Sequence, residues 1–337
     1  MSFKTFAVGY GDNQGNGRGL YSVDVSNKNI QATLVYPCEM KPGAIIATDN
    51  RLYMSYLGNN KEPGILTFSL DEAFNLTFLN KQTIPFFITS FGRINHTNHL
   101  LGSSFYDGVD VVLETTDEIQ IKSVDKHLYR PRSADIRQAD THPHHICAMR
   151  DGLHAYSVDM GIDFVSFYSI KNNELHLIKD VFIDCPLGSG PRIMRISPDN
   201  RFAYLLHEIS NSVAVYALRD IGIDEVQRIS TLDDNTVIAN STAGCAMTAD
   251  GEYLLITNRG ENTLVLFKIN SATGTLTVCD RIRTGLTPRD LYINDHQIIV
   301  AAQASDCLQL FEIDTSQHRL KLLNEVAGVS APVGFLN

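Results

Sequence analysis

A short β-strand pattern recurs seven times along this chain. The copies begin at residues 20, 65, 109, 165, 213, 264 and 308, so the repeat has a period of about 48 residues. In residues 308–313, for example, apolar and polar side chains nearly alternate (Leu-Gln-Leu-Phe-Glu-Ile). A fixed period of this length, built from strands, is typical of β-propellers and other repeat arrays. The repeat also allows each residue to be compared with its equivalents in the other units.

A second signal in most units is an aspartate turn between two β-rich runs, as at Asp151-Gly152 and Asp250-Gly251. Such turns join neighbouring antiparallel strands, so each unit predicts a four-stranded blade. Residues 328–335 resemble the first strand of a blade, and residues 3–25 resemble strands that complete it. We expect an all-β fold, a seven-bladed β-propeller that forms a single domain over residues 1–337. N- and C-terminal strands sharing one blade would close it. Six or eight blades are the alternatives.

The composition argues against several functional classes. A net charge of −10 disfavours a general surface for nucleic acid or anionic membranes. No stretch approaches the roughly 18 uninterrupted apolar residues of a transmembrane helix, and the first residues lack the apolar run of a signal peptide. The six scattered cysteines predict reduced thiols and a cytoplasmic location. We expect no cofactor, and a monomer or weak homo-oligomer.

Two positions of the repeat are predicted to face the central channel. The first follows a proline that opens the innermost strand in most units, and its occupants are Gly43, Phe86, His144, Arg192, Ala243, Arg289 and Val333. The second ends the next strand, and its occupants are Gly58, Phe105, Met160, Glu208, Arg259 and Ala304. Because the first strand leaves one face of the propeller and the second returns to it, both positions are expected at the same channel mouth.

Charged side chains occupy these positions in four consecutive units: His144, Arg192, Glu208, Arg259 and Arg289. Inward-facing arginines repel one another unless a carboxylate or a bound anion compensates them. Glu208 can satisfy one arginine, and the others favour a carboxylate or phosphate ligand, which the guanidinium fork binds through two hydrogen bonds. The alternative is a ring of salt bridges that only lines the channel.

Several segments around these residues resemble one known family. They are residues 141–146 (Thr-His-Pro-His-His-Ile), 159–163 (Asp-Met-Gly-Ile-Asp), 188–192 (Gly-Ser-Gly-Pro-Arg), 207–208 (His-Glu), 257–260 (Thr-Asn-Arg-Gly) and 287–289 (Thr-Pro-Arg). In combination and spacing they are similar to elements of the seven-bladed lactonase family. That family includes the propeller-type 6-phosphogluconolactonases and the fungal carboxy-cis,cis-muconate cyclases. The resemblance covers residues 141–313 well and residues 1–115 more loosely.

The resemblance implies that His144, Arg192, Glu208 and Arg259 are site residues, because they match the family's proposed site residues; Arg289 is a fifth candidate. The chain departs from the family pattern at two neighbouring positions. It has Ile193 where the family often has histidine, and His207 where the family has asparagine. Both departures can alter the choice of substrate.

The function implied is hydrolysis of an anionic sugar-acid lactone, with 6-phosphogluconolactone as the leading substrate. His144 and Glu208 would be the catalytic residues, and Arg192, Arg259 and Arg289 would bind the substrate and stabilise its oxyanion. Either catalytic residue can take a proton from water. We favour His144, since an unperturbed histidine titrates near neutrality.

Two other functions are open. A lactonising cycloisomerase acting on a carboxylated muconate-type substrate would need the same anion clamp and one acid–base group. A non-catalytic propeller that binds a partner would need exposed aromatic side chains, and the absence of tryptophan disfavours it. A metal site at His142, His144 and His145 is not expected. The first two share one side of a strand while the third points away, and no carboxylate motif accompanies them.

Overall fold

The computed structural model describes residues 2–95, 97–116, 118–130, 135–219 and 222–336. These residues form seven four-stranded antiparallel sheets, and their only helical segments are two 3-10 turns, Ile136–Gln138 and Gln303–Ser305. The chain is thus an all-β seven-bladed propeller, and the fold class and blade count expected from the repeat are confirmed. No helix of the described ranges is long and apolar enough to cross a membrane. Two compact units make up the chain: unit 1 comprises residues 2–39 and 193–335, and unit 2 comprises residues 40–192 with Leu336.

Unit 2 contains three complete blades. Blade 1 consists of β4 (Lys41–Ala47), β5 (Arg51–Leu57), β6 (Pro63–Leu70) and β7 (Leu76–Thr83). Blade 2 consists of β8 (Ser90–Arg93), β9 (His99–Ser104), β10 (Val109–Thr115) and β11 (Ile119–Lys126). Blade 3 consists of β12 (Pro143–Ala148), β13 (His154–Asp159), β14 (Phe164–Lys171) and β15 (Glu174–Asp184).

The remaining four blades belong to unit 1, except that the first two residues of β16 fall in unit 2. Blade 4 consists of β16 (Pro191–Ile196), β17 (Phe202–His207), β18 (Ser212–Leu218) and β19 (Ile223–Ser230). Blade 5 consists of β20 (Ser241–Met247), β21 (Tyr253–Arg259), β22 (Thr263–Ile269) and β23 (Leu276–Arg283). Blade 6 consists of β24 (Pro288–Asn294), β25 (Gln297–Ala302), β26 (Cys307–Asp314) and β27 (Arg319–Ala327). Blade 7 consists of β28 (Pro332–Phe335), β1 (Ser2–Gly9), β2 (Gly19–Ser26) and β3 (Asn29–Pro37).

The third strand of every blade is one of the seven copies of the sequence repeat. These strands are mostly buried on both faces, whereas the fourth strands, such as β7, are largely exposed. Within unit 2, apolar clusters join blade 1 to blade 2 and blade 2 to blade 3. Within unit 1, similar clusters join blades 4 and 5, 5 and 6, and 6 and 7. Packing between successive sheets thus explains why the third-strand pattern is so regular.

Blade 7 is shared by the two ends of the chain, as expected. The C-terminal strand β28 pairs antiparallel with β1, with Ala7 opposite Phe335 and Val8 opposite Gly334. Phe335 is buried in the cluster between blades 6 and 7. The pairing covers an edge of β1 that would otherwise expose its hydrogen-bonding groups.

The first-strand position of the repeat coincides with a β-bulge in five blades. The register shifts between Pro42 and Ile45, Pro143 and His145, Thr242 and Cys245, Pro288 and Asp290, and Pro332 and Gly334. A bulge leaves a residue out of the ladder and re-aims its side chain. His144, Ala243 and Arg289 lie in these interruptions. Phe86 was expected to open an innermost strand, and this expectation is wrong. It precedes β8 and packs against the apolar cluster of blades 1 and 2, because that strand is short and begins only at Ser90.

Candidate active site

His144 and Arg192 are in direct contact within unit 2. His144 lies in the β12 bulge, and Arg192 follows the proline that opens β16. The Nη1 atom of Arg192 lies 2.6 Å from Nε2 of His144. Arg192 is only 7% exposed, so this contact is largely shielded from water. Two side chains that are 48 positions apart in the sequence form one pair, which we call the His144–Arg192 dyad.

The chemistry of the dyad fixes the protonation of one nitrogen. A guanidinium group has only donors and keeps its proton throughout the ordinary pH range. The Nη1–H of Arg192 therefore donates to His144, and Nε2 of His144 accepts through its lone pair. In this arrangement the imidazole of His144 is neutral, and its lone pair faces a cation. A proton acceptor and an anion-binding group thus lie side by side.

A chain of aromatic rings begins at the histidine of the dyad. The ring of Phe105 lies edge to face with His144, with 5.5 Å between centroids, and stacks on His142 at 4.2 Å. Tyr106 packs edge to face against Phe105 at 5.3 Å, and Phe87 stacks on Tyr106 at 6.2 Å. The ring of Phe105 therefore covers one side of His144, and Tyr106 and Phe87 pack behind it. Phe105 occupies a repeat position predicted to face the channel, whereas no sequence pattern indicates a role for Phe87 or Tyr106.

The neighbouring histidines have structural contacts of their own. The ring of His142 donates from Nδ1 to the backbone carbonyl of Phe105, at 2.9 Å. His145 is 7% exposed and packs near Tyr156, with 5.7 Å between ring centroids. His142 and His144 therefore share the Phe105 side of the chain, while His145 points elsewhere. No group of three or more metal-ligating side chains occurs among the described residues.

Unit 1 contains a second charged pair, formed by Glu208 and Arg259. The Nη2 atom of Arg259 lies 2.8 Å from Oε1 of Glu208, and the same atom donates to the carbonyl of Thr242 at 3.0 Å. The two side chains are 10% and 17% exposed, Glu208 being the more buried. A guanidinium held by a carboxylate and a carbonyl is a fixed, partly desolvated cation. This pair joins the end of β21 in blade 5 to the end of β17 in blade 4.

Asn258 holds the end of β21, where Arg259 lies. Asn258 is fully buried; its side-chain amide donates to the carbonyl of Thr231 at 2.9 Å and accepts from the hydroxyl of Thr231 at 2.9 Å. The preceding Thr257 accepts the backbone N–H of Gly244 at 2.8 Å, which supports the bulge of β20. The segment 257–259 thus has two buried anchors and one arginine that reaches Glu208.

Arg289 also lies in unit 1, in the bulge of β24. Its guanidinium carbon is 5.9 Å from the centre of the Tyr10 ring, and its Nη1 is 3.5 Å from Oε1 of Gln303. Tyr10 begins the glycine-rich connection between β1 and β2. A cation held mainly against an aromatic ring keeps donors available for an anion. No sequence pattern indicates Tyr10, because its contact with Arg289 depends on how blades 6 and 7 pack.

The two departures from the family pattern are both explained by packing in unit 1. His207 is fully buried, and burial together with the nearby charge of Arg228 lowers its pKa to about 3. His207 is therefore neutral at physiological pH, as an asparagine would be. Ile193 packs against the apolar cluster of blades 4 and 5. Cys245 is also buried, and burial raises its pKa to about 12, which excludes a reactive thiolate.

Comparison with known families gives one match over almost the whole chain. A family model described as "Lactonase, 7-bladed beta-propeller" matches residues 5–336. Among curated proteins, the 6-phosphogluconolactonase of Bacillus subtilis (strain 168) is 24% identical and covers 95% of this chain and 94% of its own length. The 6-phosphogluconolactonase of Pectobacterium atrosepticum is 27% identical, covering 91% of this chain and 90% of its own length.

Solved structures show the same fold. The periplasmic gluconolactonase of Pseudomonas aeruginosa has a TM-score of 0.88 at 23% identity, covering 99% of this chain and 98% of that one. A protein from Lactobacillus plantarum has a TM-score of 0.89 at 21% identity, covering all of both chains. At sequence identities this low, the structural similarity establishes a common fold and nothing more. The evidence for activity lies in the family match and in the side chains of the site.

Proposed function

We propose that this chain, which belongs to the seven-bladed β-propeller lactonase family and is a lactone hydrolase, acts on 6-phosphogluconolactone. The observation that carries the proposal is the His144–Arg192 dyad, in which an acid–base group and an anion-binding group are 2.6 Å apart. The two curated relatives named 6-phosphogluconolactonase support the same substrate.

The first step is binding of the lactone carbonyl by Arg192. The guanidinium turns from Nε2 of His144 to the carbonyl oxygen, where negative charge develops during hydrolysis. This movement exposes the Nε2 lone pair to a water molecule beside the ring carbonyl. Arg192 then holds the electrophilic carbonyl of the substrate, and Nε2 of His144 is the base beside it. Addition of water requires this arrangement.

Hydrolysis then proceeds through a tetrahedral intermediate. Nε2 of His144 takes one proton from water as the water oxygen bonds to the carbonyl carbon, and Arg192 stabilises the oxyanion. When the intermediate collapses, the bond between the carbonyl carbon and the ring oxygen breaks. The imidazolium returns its proton to that oxygen, which becomes a hydroxyl group. The carbonyl carbon becomes the carboxylic acid of the same ring-opened molecule, and this acid ionises in water.

The sequence repeat supports assigning Glu208, Arg259 and Arg289 to the same substrate, because they occupy the same repeat positions as the dyad. Arg259 and Arg289 are assigned to the phosphate group, for which paired guanidinium donors are well suited. Glu208 is assigned to hold Arg259 in place, and it is the alternative general base. The single domain, the cytoplasmic location and the monomeric or weakly oligomeric state stay predictions of the sequence.

The test compares wild type with His144→Ala and Arg192→Ala on freshly prepared 6-phosphogluconolactone, with spontaneous opening subtracted. We expect His144→Ala to lower kcat by about 10²–10⁴-fold, the contribution of a positioned acid–base group. We expect Arg192→Ala to lower it by about 10²–10³-fold, as loss of an oxyanion donor does. His154→Ala is the matched control, since His154 opens β13 next to the turn at the other end of blade 3 and its side chain is 43% exposed.

Circular dichroism must show that all variants are folded. Normal turnover by either dyad variant would refute the assignment of the dyad. A wild type that accelerates no lactone would instead favour the carboxylated diene of a cycloisomerase, which can be assayed directly by ultraviolet absorbance.

A further inference from the structure

We infer that the β13–β14 turn, from Asp159 to Asp163, is a positioning element that aligns His144 with Arg192. The inference rests on the proposed function, since it takes this dyad as the reacting pair. The two side chains come from different strands, β12 and β16, so something must hold those strands in register. Both aspartates of the turn are buried, at 1% and 0% exposure, and each binds the backbone of a segment that leads to one member of the dyad.

Asp159 binds the segment that leads to His144. Its Oδ1 accepts the backbone N–H of His142 at 2.8 Å, two residues before His144, and the N–H of Gly161 at 2.8 Å. Its Oδ2 contacts Nδ1 of the buried His127 at 2.7 Å. The carboxylate is therefore held on both oxygens, and it fixes the chain where that chain enters the β12 bulge.

Asp163 binds the segment that leads to Arg192. Its Oδ1 accepts the backbone N–H of Gly190 at 2.8 Å and the hydroxyl of Ser189 at 3.2 Å, while its Oδ2 accepts the N–H of Gly188 at 2.8 Å. The side chain of Gln138 also donates to Oδ1, at 2.8 Å. Four donors on a fully buried carboxylate fix the loop that ends two residues before Arg192.

The backbone of the turn also contacts the His144 segment closely. A Cβ atom at Gly161 would lie 1.9 Å from the carbonyl oxygen of Asp140 and 2.9 Å from the backbone nitrogen of His142. The backbone N–H of Met160 donates to the carbonyl of His142 at 3.0 Å. Asp163 itself adopts a left-handed conformation, with φ of 52°, which strains a residue with a side chain. The hydrogen bonds to residues 188–190 stabilise this conformation.

The geometry explains why one turn can control the dyad. Asp159 and Asp163 lie four positions apart on one short connection, so their relative positions vary little. Through them, the backbone two residues before His144 and the backbone two residues before Arg192 are tied to the same rigid turn. A displacement of about 1 Å between reacting groups can reduce catalysis by about 10²-fold. Asp159 and Asp163 thus act through the dyad and need not touch the substrate.

The test uses Asp163→Asn and Asp159→Asn, which keep side-chain shape but replace one acceptor oxygen with an NH₂ group. Asp151→Asn is the matched control. Asp151 lies in the β12–β13 turn of the same blade and accepts backbone N–H groups of Leu153 and His154, but that turn is at the opposite end of the strands. The milder variant Ser189→Ala removes one of the four donors to Asp163. It replaces Asp163→Asn in the test if that variant does not fold.

The primary readout is the ring nitrogen resonances of His144 in histidine-selective ¹⁵N NMR spectra, assigned with His144→Gln. In wild type we expect Nε2 to show the shift of a hydrogen-bonded acceptor. We expect both aspartate variants to move it towards the shift of an unbonded nitrogen, and Ser189→Ala to move it in the same direction by less. Asp151→Asn should leave it unchanged.

The kinetic readout is kcat for 6-phosphogluconolactone, which we expect to fall at least tenfold in the two aspartate variants, roughly as for misplaced catalytic groups. His144 resonances that coincide with wild type in Asp163→Asn, Asp159→Asn and Ser189→Ala would overturn the inference, whatever the rates. The NMR readout does not depend on the substrate. A wild type without lactonase activity but with the expected resonance shifts would therefore refute the proposed function and leave the positioning role established.

Discussion

Replacing His127 with glutamine should strongly destabilise unit 2. His127 is buried and bridges two carboxylates, with Nε2 2.7 Å from Oδ2 of Asp110 and Nδ1 2.7 Å from Oδ2 of Asp159. Asp110 is itself fully buried and accepts the hydroxyl of Ser103 at 2.5 Å. Both ring nitrogens face acceptors, so the bridge is complete only when the imidazole carries two protons.

The expected loss follows from the charges that would remain. Glutamine is neutral, so two buried carboxylates would lose their shared cation, and its own amide oxygen would face one of them. Removing one partner of a buried, hydrogen-bonded charge group typically costs about 3–5 kcal/mol. We therefore expect the free energy of unfolding of His127→Gln to be lower by about this amount at pH 6.

The contribution of His127 to the free energy of unfolding should decrease as the pH rises. Burial lowers the pKa of His127, but the carboxylates of Asp110 and Asp159 outweigh burial and hold this pKa well above its usual value of 6.5. The native state therefore binds a proton that the unfolded state releases above pH 6.5. The stabilisation by His127 is fully present below that pH and falls by about 1.4 kcal/mol per pH unit until the native pKa is reached.

The assay is urea unfolding of wild type and His127→Gln at pH 6 and pH 9, followed by circular dichroism. The difference in the free energy of unfolding between the two proteins separates the effect of His127 from that of other groups that titrate. His176→Gln is the control, since the His176 side chain is 48% exposed on β15. A difference below about 1 kcal/mol at pH 6, or one that grows between pH 6 and pH 9, would refute the reasoning.

Two further predictions concern unit 1. Glu208→Gln removes the negative charge 2.8 Å from Arg259. We expect kcat/KM for 6-phosphogluconolactone to fall at least about tenfold, because a charge-assisted contact is lost. Asp224→Asn, at an exposed position, serves as control, and an unchanged kcat/KM in Glu208→Gln would contradict the role of the pair. Deleting residues 332–337 removes β28 with the buried Phe335, and we expect the free energy of unfolding to drop by more than about 3 kcal/mol. A truncated protein as stable as wild type in urea unfolding would show that the shared blade contributes little.

Much of the fold could be predicted because its determinants are local. Each blade repeats the same strand alternation and aspartate turns, and the third strands recur with nearly constant spacing because each packs between neighbouring sheets. The repeat also singled out His144 and Arg192, since charged residues are unusual at positions that most units fill with small or apolar side chains. The contact between these two residues follows from the position that they share in consecutive units.

The features that the sequence did not reveal depend on contacts distant in the chain. The bulges at the first-strand position arise from pairing with the second strand, and no local pattern specifies them. Phe86 was assigned to an innermost strand because it follows a proline as its equivalents do, but β8 begins only at Ser90. The buried carboxylates of Asp159 and Asp163 were visible only as part of a family motif. Their roles depend on backbone groups of residues 142 and 188–190.

The most direct test of the account measures kcat/KM of wild type for 6-phosphogluconolactone and for glucono-δ-lactone under the same conditions, with the spontaneous rates subtracted. If the arginines bind the phosphate, the two charge-assisted hydrogen bonds of one guanidinium favour the phosphorylated lactone by at least about 100-fold. Acceleration of that lactone with such a preference is the predicted result. Equal values for the two lactones would contradict the phosphate assignment, and no acceleration of either would contradict the proposed function.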